Sequence, residues 1–292
     1  MDEATWELRF VEMRKELMSR RKKVAAKTEM SRFRSMFGCG PSICAKLWIR
    51  ISLAMEIANG GKPHHLLWAL MFLKLYCAES VLASLAGGVH EQTFRKWSWY
   101  FVDAIANLQY SIILWANRFR DDIGNVALVS VDGTDFEIYQ WQPFWKGWYS
   151  HKFKGPGLRY EVGICIMTGD IVWIHGPFPC GRWPDLKIFR SAMKHALSPG
   201  EKVVADLGYR GEPNHVITPS GDRSEPEGAV RARHETVNRC LKHWNILHRV
   251  FRHNVQKHQS AFGAVATVTQ LQIESGEPLF GVDYHPDEAE DS

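Results

Sequence analysis

Apolar residues in the first 120 positions recur at helical spacing, interrupted by glycine and proline. Residues 5–35 predict a helix with the basic cluster SRRKKVAAK near its end. PSICAKLWIRISLAMEIA predicts an amphipathic helix that ends at Asn59-Gly60-Gly61, and the next helix begins behind Pro63. The chain is therefore expected to begin with an all-α region.

Two shorter apolar stretches, AESVLASLAG and VHEQTFRKWSWYFVDAIANL, are separated by Gly87-Gly88. A helix, a glycine turn and a longer helix are typical of a helix-turn-helix, with its second helix directed at DNA. Arg95 and Lys96 in that second helix are then expected to contact DNA. Any helical bundle with a glycine turn shows the same pattern, so this interpretation stays open.

Beyond residue 120 the pattern changes to β-branched, strand-like segments. NVALVSVDGTDFEIYQ carries an apolar run that ends on Asp132, and EKVVADLGY ends on Asp206. LRYEVGICIMT and IVWIHGPF predict a hairpin, PDLKIFRSAMKHAL predicts a helix, and a later helix carries Glu235. This order predicts a mixed α/β sheet with helices packed on it.

Charged residues are distributed unevenly along the chain. Residues 274–292 hold seven acids and no Lys or Arg, so the net charge of +4 leaves +11 on residues 1–273. A basic body favours a polyanionic partner, with nucleic acid as the first candidate. The predicted organisation is a basic N-terminal helix, a helix-turn-helix-like region, an α/β domain and an acidic, disordered tail, at residues 1–40, 41–120, 121–273 and 274–292.

Asp132, Asp206 and Glu235 lie 74 and 29 residues apart, so only the fold can bring them together. Carboxylates that follow adjacent strands project from one edge of a sheet, and a helix packed across it can add a third. Mg²⁺ or Mn²⁺ prefers such oxygen ligands. Two such ions about 3.5–4 Å apart form the usual clamp for phosphoryl transfer.

Each acid also has an ordinary interpretation. An Asp behind a strand is a common turn former. Glu235 sits one helical turn from Arg231 and from Arg239, where surface ion pairs form.

The stretches VDGTDF, ADLGYRG and RARHETVNRCLKHW resemble the DDE transposase superfamily, which has a ribonuclease H-like nuclease fold. The likeness covers roughly residues 30–285 and is closest to PIF/Harbinger-type eukaryotic transposases and their bacterial insertion-sequence relatives. The bacterial relatives carry Tyr-x2-Arg-x3-Glu-x6-Lys. Arg231, Glu235 and Lys242 fit that signature, whereas the tyrosine position is Gly228.

The resemblance implies a metal-dependent DNA endonuclease and transposase. Asp132 would bridge two ions, Mg²⁺ or Mn²⁺, with Asp206 and Glu235 each holding one. Arg231 and Lys242 would stabilise the negative charge of the phosphate. The alternative is a domesticated descendant that binds DNA or a partner without cutting.

Many relatives carry Gly-Ser-x-His-Asp before the helix that follows the hairpin, and this chain keeps the final Asp, Asp185. It is interpreted first as a helix N-cap and, alternatively, as an active-site accessory. Further basic residues are expected at the DNA backbone, or else on a solvated surface: Arg239, Lys152, Lys154 and Arg159. The aromatic residues of YQWQPFWKGWY either stack on unpaired or flipped bases or cover the core.

Partners and compartment follow from these expectations. The expected substrate is double-stranded DNA at transposon ends and target sites. A Myb-like DNA-binding protein is a possible accessory partner. The expected assembly is a homo-oligomer. Six scattered cysteines without a CxxC pair and a charged N-terminus predict free thiols and an intracellular chain. No stretch predicts a membrane span. The nucleus is expected in a eukaryote, and the cytoplasm otherwise.

Overall fold

The computed structural model describes residues 1–17, 25–120, 124–139, 143–218 and 226–275. Most of the acidic tail, Trp141 and part of the basic cluster near residue 20 lie outside these ranges, so the predictions for them stay predictions.

Helices form both ends of the described chain and strands form its middle. The helices are α1 (Glu3–Leu17), α2 (Ala26–Phe37), α3 (Pro41–Ala54), α4 (Pro63–Leu75), α5 (Glu79–Leu85), α6 (Glu91–Asn107), α7 (Gln109–Ile112), α8 (Asp185–Ser191), α9 (Met193–Ala196), α10 (Pro226–Lys242), α11 (Asn245–His248) and α12 (His258–Glu274). The strands are β1 (Ala127–Glu137), β2 (Tyr149–Ser150), β3 (Gly155–Cys165), β4 (Ile171–Pro179), β5 (Lys202–Ala205) and β6 (Val216–Ile217).

The first compact unit is helical and comprises Met1–Ile112, Leu241–Arg249 and Gln256–Ser275. α4 is buried on nearly every side, as its almost continuous apolar sequence predicts. α12 packs against α6 in this unit. Among the described residues, no helix is both long and apolar enough to cross a membrane.

The predicted helix, glycine turn and helix are present as α5, Gly87-Gly88 and α6. Both glycines have positive φ, 96° and 75°, a backbone region that favours glycine. This turn is the reason the two apolar stretches form separate helices.

The second unit contains the sheet and comprises mainly Ile113–Cys240 and Val250–Val255. Its strand order is β2-β3-β1-β5-β6, with β4 also paired to β3. β1, β3 and β4 pair antiparallel, whereas β1, β5 and β6 pair parallel. This mixed sheet with flanking helices is the predicted α/β architecture and is consistent with a ribonuclease H-like fold.

The core of the second unit lies between the sheet and the helices that follow the hairpin. Val129 and Val131 of β1 and Val203 of β5 pack there with Phe189 of α8 and Tyr209. Burying these apolar side chains explains why the β-branched runs become central strands.

One expectation for β1 was wrong. The strand does not end at Asp132 but continues to Glu137, because β3 pairs with it as far as the Glu137–Gly157 pair. What ends near Asp132 is the parallel pairing with β5, whose last pair is Val131–Ala205. Asp132 therefore lies within a strand, at the edge of one ladder.

Glu161 of β3 is a fully buried acid, and its Oε2 accepts the Nε1–H of Trp173 at 3.1 Å. Burial raises the pKa of Glu161 to about 8. In the unfolded chain an ordinary Glu titrates near pH 4.3. The stability that neutral Glu161 provides is thus fully present below that pH and is lost as the pH rises towards 8.

Glu161→Gln, a neutral side chain of the same shape, is therefore expected to gain stability relative to the wild type as the pH rises from 5 to 8. The expected change is about 1.4 kcal/mol per pH unit in the difference between their free energies of unfolding. Urea denaturation at several pH values measures it. A difference that does not change with pH would show that Glu161 is ionised in the folded protein.

Candidate active site

Asp132 and Asp206 lie side by side because the strands that carry them are parallel neighbours. Val131 pairs with Ala205 at the end of the β1–β5 ladder, so the next residue in each chain segment is an aspartate. Asp206 then caps a short 3-10 turn and accepts the N–H of Gly208 at 2.8 Å. The structure thus brings two of the three predicted acids together.

Asp185 joins them from the start of α8. A Cβ at Gly133 would collide with Asp185 Oδ1, so this carboxylate rests directly on the backbone of β1 beside Asp132. A Cβ at Gly208 would lie 2.9 Å from Asp206 Oδ1 and 3.4 Å from Asp185 Oδ2. Glycine at both positions therefore permits three carboxylates to approach one another.

The interpretation of Asp185 as a helix N-cap was wrong. Pro184 occupies the N-cap of α8, and no side chain caps the helix there. Asp185 is instead the first helical residue, because proline holds an extended conformation before it. The Asp185 side chain is directed at Gly133 and at Arg159, whose Nη1 lies 3.3 Å from Asp185 Oδ1.

Burial and neighbouring charges change the protonation of Asp132 and Asp185. Burial, followed by the charges of Asp206 and Asp185, raises the pKa of Asp132 to about 7. Burial also raises the pKa of Asp185, although the positive charge of Arg159 opposes this. Ionising Asp132 or Asp185 therefore costs free energy, and a nearby divalent cation would favour the ionised carboxylates.

Helix α10 carries the third predicted acid, Glu235. The direct contact from α10 to Asp132 is made one turn later, by Asn238, whose Nδ2 donates to Asp132 Oδ2 at 3.0 Å. Glu235 and Asn238 lie three residues apart and so share a helix face. The carboxylate of Glu235 is exposed, and no hydrogen bond or ion pair joins it to a residue that the structure describes.

The ordinary interpretation of Glu235 as an ion-pair partner of Arg231 or Arg239 has no support in the described residues. No ion pair links these side chains, and both arginines are exposed. Lys242, the last residue of α10, is partly buried. The buried side of α10 is formed by other residues, among them Arg233, His234 and Val237.

The side chains around Asp132 can be compared with the ligands that a divalent metal ion requires. In the described part of the chain, no group of three or more His, Cys, Asp or Glu side chains is arranged to hold a metal ion. The types of donor nevertheless fit Mg²⁺ or Mn²⁺, which prefer carboxylate and amide oxygens. Asp185 Oδ1 and Asn238 Oδ1 are buried and accept no hydrogen bond within these ranges. The chemistry of the donors thus fits, while a complete ligand set is not formed.

The basic residues predicted around the β2–β3 turn have different environments. Lys152 and Lys154 are exposed. Arg159 instead forms a bidentate ion pair with Asp135: its Nε donates to Oδ1 at 2.6 Å and its Nη2 donates to Oδ2 at 3.0 Å. Because Arg159 also faces Asp185, much of its charge is already compensated. Its role at the DNA backbone stays a prediction.

In the helical unit, the two basic residues predicted to contact DNA each interact with a nearby side chain. Arg95 forms an ion pair with Glu79 of α5. The Nζ of Lys96 lies 4.8 Å from the ring centroid of Trp97, a cation–π contact. Their role in DNA binding stays a prediction.

Sequence reasoning missed Asn238 and Asp135. Asn238 follows Glu235 by three residues, so helical spacing places both on one face of α10. Asp135 lies in VDGTDF itself, but its pairing with Arg159 of the next strand depends on the β1–β3 register, in which the two residues are opposite each other.

Comparison with known protein families gives one match. Residues 131–270 match the family described as DDE superfamily endonuclease. The matched range contains Asp132, Asp185, Asp206 and Glu235. Neither a curated protein nor a solved structure matches the chain. The resemblance to the DDE superfamily is confirmed, while the Harbinger type is compatible with the match but not tested by it. Residues 131–270 of this chain are thus similar to the DDE superfamily endonucleases.

Proposed function

We propose that this chain is an active, divalent-metal-dependent DNA endonuclease and transposase that cuts and joins DNA by in-line phosphoryl transfer. The observation that carries the proposal is the meeting of Asp132, Asp206 and Asp185 at one position of the sheet, with Glu235 on the adjacent helix. A cluster of acids whose charges repel one another has no evident structural benefit, but it suits a site for divalent cations.

Asp132, Asp206 and Glu235 would hold two ions, Mg²⁺ or Mn²⁺. When bound, such ions activate the attacking water or DNA 3′-OH and neutralise charge on the phosphate. Asn238 orients Asp132 by holding one of its two oxygens. Asp185 contributes a further carboxylate, which Arg159 holds beside Gly133.

The substrate would be double-stranded DNA, at the ends of the element and at its target. Arg231 and Lys242 on α10 would stabilise the negative charge of the reacting phosphate. The exposed side chains of Lys152, Lys154 and Arg239 would contact the DNA backbone further away, with Arg159 contributing beside Asp185. The net charge of +11 on residues 1–273 favours this substrate over neutral ligands.

The assembly and location of the protein belong to the same proposal. A homo-oligomer would hold two DNA ends, and a Myb-like DNA-binding protein would help to recognise them, with α6 contributing Arg95 and Lys96. The chain would work in the nucleus of a eukaryotic host, or in the cytoplasm of a bacterial one.

Mn²⁺ binding tests the proposal without knowledge of the DNA ends. Crystals soaked in Mn²⁺ are expected to show an anomalous peak beside Asp132 and Asp206. The same protein is expected to nick supercoiled plasmid DNA in Mn²⁺ or Mg²⁺. EDTA should stop the nicking, and excess Mn²⁺ should restore it, because the carboxylates alone supply no activated nucleophile.

The possible outcomes separate two functions. Manganese bound at the aspartates together with nicking supports the nuclease. DNA binding with a steep salt dependence but no metal and no nicking would instead identify a domesticated, non-cleaving descendant. Metal-independent nicking would contradict the proposed chemistry altogether.

A further inference from the structure

A cavity of about 340 Å³ opens within the second unit, beside the start of α8. Its walls include Gly133 and Pro184, the immediate neighbours of Asp132 and Asp185 in the chain. Arg159 also lines it and contacts Asp185. Arg159 thus connects the cavity to Asp185, and a ligand in the cavity would lie near that carboxylate.

The polar groups at the base of the cavity are already satisfied. Asp135 accepts hydrogen bonds from Ser150 Oγ at 2.7 Å and from two nitrogens of Arg159. Although burial by itself would raise the pKa of Asp135, these hydrogen bonds and the charge of Arg159 hold it below the ordinary value. The Asp135–Arg159 pair is thus close to neutral, and it does not require a bound cation.

The rim of the cavity is cationic and aromatic. Lys152 adds a positive charge that no described acid pairs with, and His151 and Tyr149 stand beside it. The ring of Tyr149 meets the rings of His151 and Phe144 edge-on, at centroid distances of 5.1 and 6.4 Å. Such contacts fix the orientation of the Tyr149 ring.

Size and lining together select the ligand. Pockets for small molecules span about 300–1,000 Å³, so this cavity holds one nucleotide unit and not a segment of duplex. A cation at the rim suits a phosphate, and an aromatic ring suits the face of a base. We propose that the cavity receives one unpaired nucleotide of the DNA strand, next to the phosphate that is cut.

This inference rests on the proposed function for its choice of DNA as ligand. The phosphate of the unpaired nucleotide lies at Lys152 and its base lies against Tyr149. Removing a base from the stack costs free energy, and a site that accepts the base recovers part of it. The enzyme therefore prefers DNA in which one nucleotide is already unpaired.

The test measures the affinity of the full chain for three short duplexes of one sequence, in Ca²⁺ buffer to avoid cleavage. The first duplex is fully paired, the second carries one bulged nucleotide, and the third carries the same bulge without its base. Stacking predicts that the bulged duplex binds about tenfold more tightly than the paired one. The baseless bulge is expected to lose most of that gain.

Variants assign the effect to the cavity. Tyr149→Ala should abolish the preference for the bulge, whereas Tyr149→Phe, which keeps the ring, should retain it. Lys152→Ala should weaken binding of both bulged duplexes and lower the salt dependence by about one phosphate contact. Lys146→Ala is the matched control, because it removes the same charge from an exposed side chain nearby that does not line the cavity.

Equal affinity of the wild type for the three duplexes would overturn the inference. So would a folded Tyr149→Ala variant that still prefers the bulged duplex to the paired one. Circular dichroism and thermal melting confirm that each variant is folded. Plasmid nicking, measured separately in Mg²⁺, distinguishes the two proposals. A bulge preference without nicking would refute the nuclease but not the nucleotide site, and nicking without a preference would refute only the site.

Discussion

Asp132→Asn is expected to lower the rate of DNA cleavage by about 10³-fold or more, equivalent to about 4 kcal/mol of transition-state stabilisation. The reason is that Asp132 lies beside Asp206, is affected by the charges of Asp206 and Asp185, and would help to hold the ions. An Asn side chain offers one neutral oxygen in place of a charged pair. Plasmid nicking in Mg²⁺, with Mn²⁺ affinity measured in parallel, checks both effects.

The same substitution is expected to leave the protein as stable as the wild type or slightly more stable near pH 8. Removing the charge relieves the cost of burying it and the repulsion from Asp206 and Asp185, which together raise the pKa of Asp132 to about 7. Asp103→Asn, on the exposed side of α6, is the matched control and should nick normally. Nicking close to the wild-type rate by Asp132→Asn would remove this residue from the active site.

Glu235→Gln is the second substitution expected to abolish cleavage, by a similar factor of about 10³. Glu235 fits the family signature with Arg231 and Lys242, and it shares a helix face with Asn238, which contacts Asp132. Because its side chain is exposed and has no ion-pair partner among described residues, the substitution should not change the thermal unfolding temperature. Loss of activity would then reflect chemistry and not folding.

Comparison with Asp185→Asn makes this prediction decisive, because Asp185 is the carboxylate that the structure brings closest to the two aspartates. If Glu235→Gln nicks DNA normally and Asp185→Asn does not, the third ligand is Asp185 and the assignment of Glu235 is wrong. Glu12→Gln on α1 serves as the exposed Glu control.

Periodicity predicted the type of several elements correctly, but the single helix expected over residues 5–35 was wrong, because α1 ends at Leu17 and Ala25 is extended before α2 begins. The helical spacing of residues 41–54 and 63–75 and the β-branched runs around Asp132 and Asp206 each correspond to an element of the expected type. These patterns succeed because burial on one face repeats with the geometry of the element itself. The end of β1 was misplaced because a strand can leave one neighbour while it stays paired to another.

Charged residues were less predictable than strands. Arg159 looked like a surface contact for DNA, yet it pairs with Asp135 because the register between β1 and β3 sets them opposite each other. Arg95 likewise pairs with Glu79 across a glycine turn. A sequence shows that an arginine is present, but not which carboxylate lies within about 3 Å of it.

The sequence by itself determined the order of the chemical groups: two aspartates behind apolar strand segments, and a glutamate on a basic helix that follows them. It also showed the resemblance to the DDE superfamily, because the short motifs around these acids can be read directly from the sequence. Only the tertiary structure decided that β1 and β5 are parallel neighbours, that Asp185 rests on Gly133 and that Asn238 contacts Asp132. The physical reason is that contacts between distant segments depend on strand register and on the space that glycine leaves, and neither has a period along the chain.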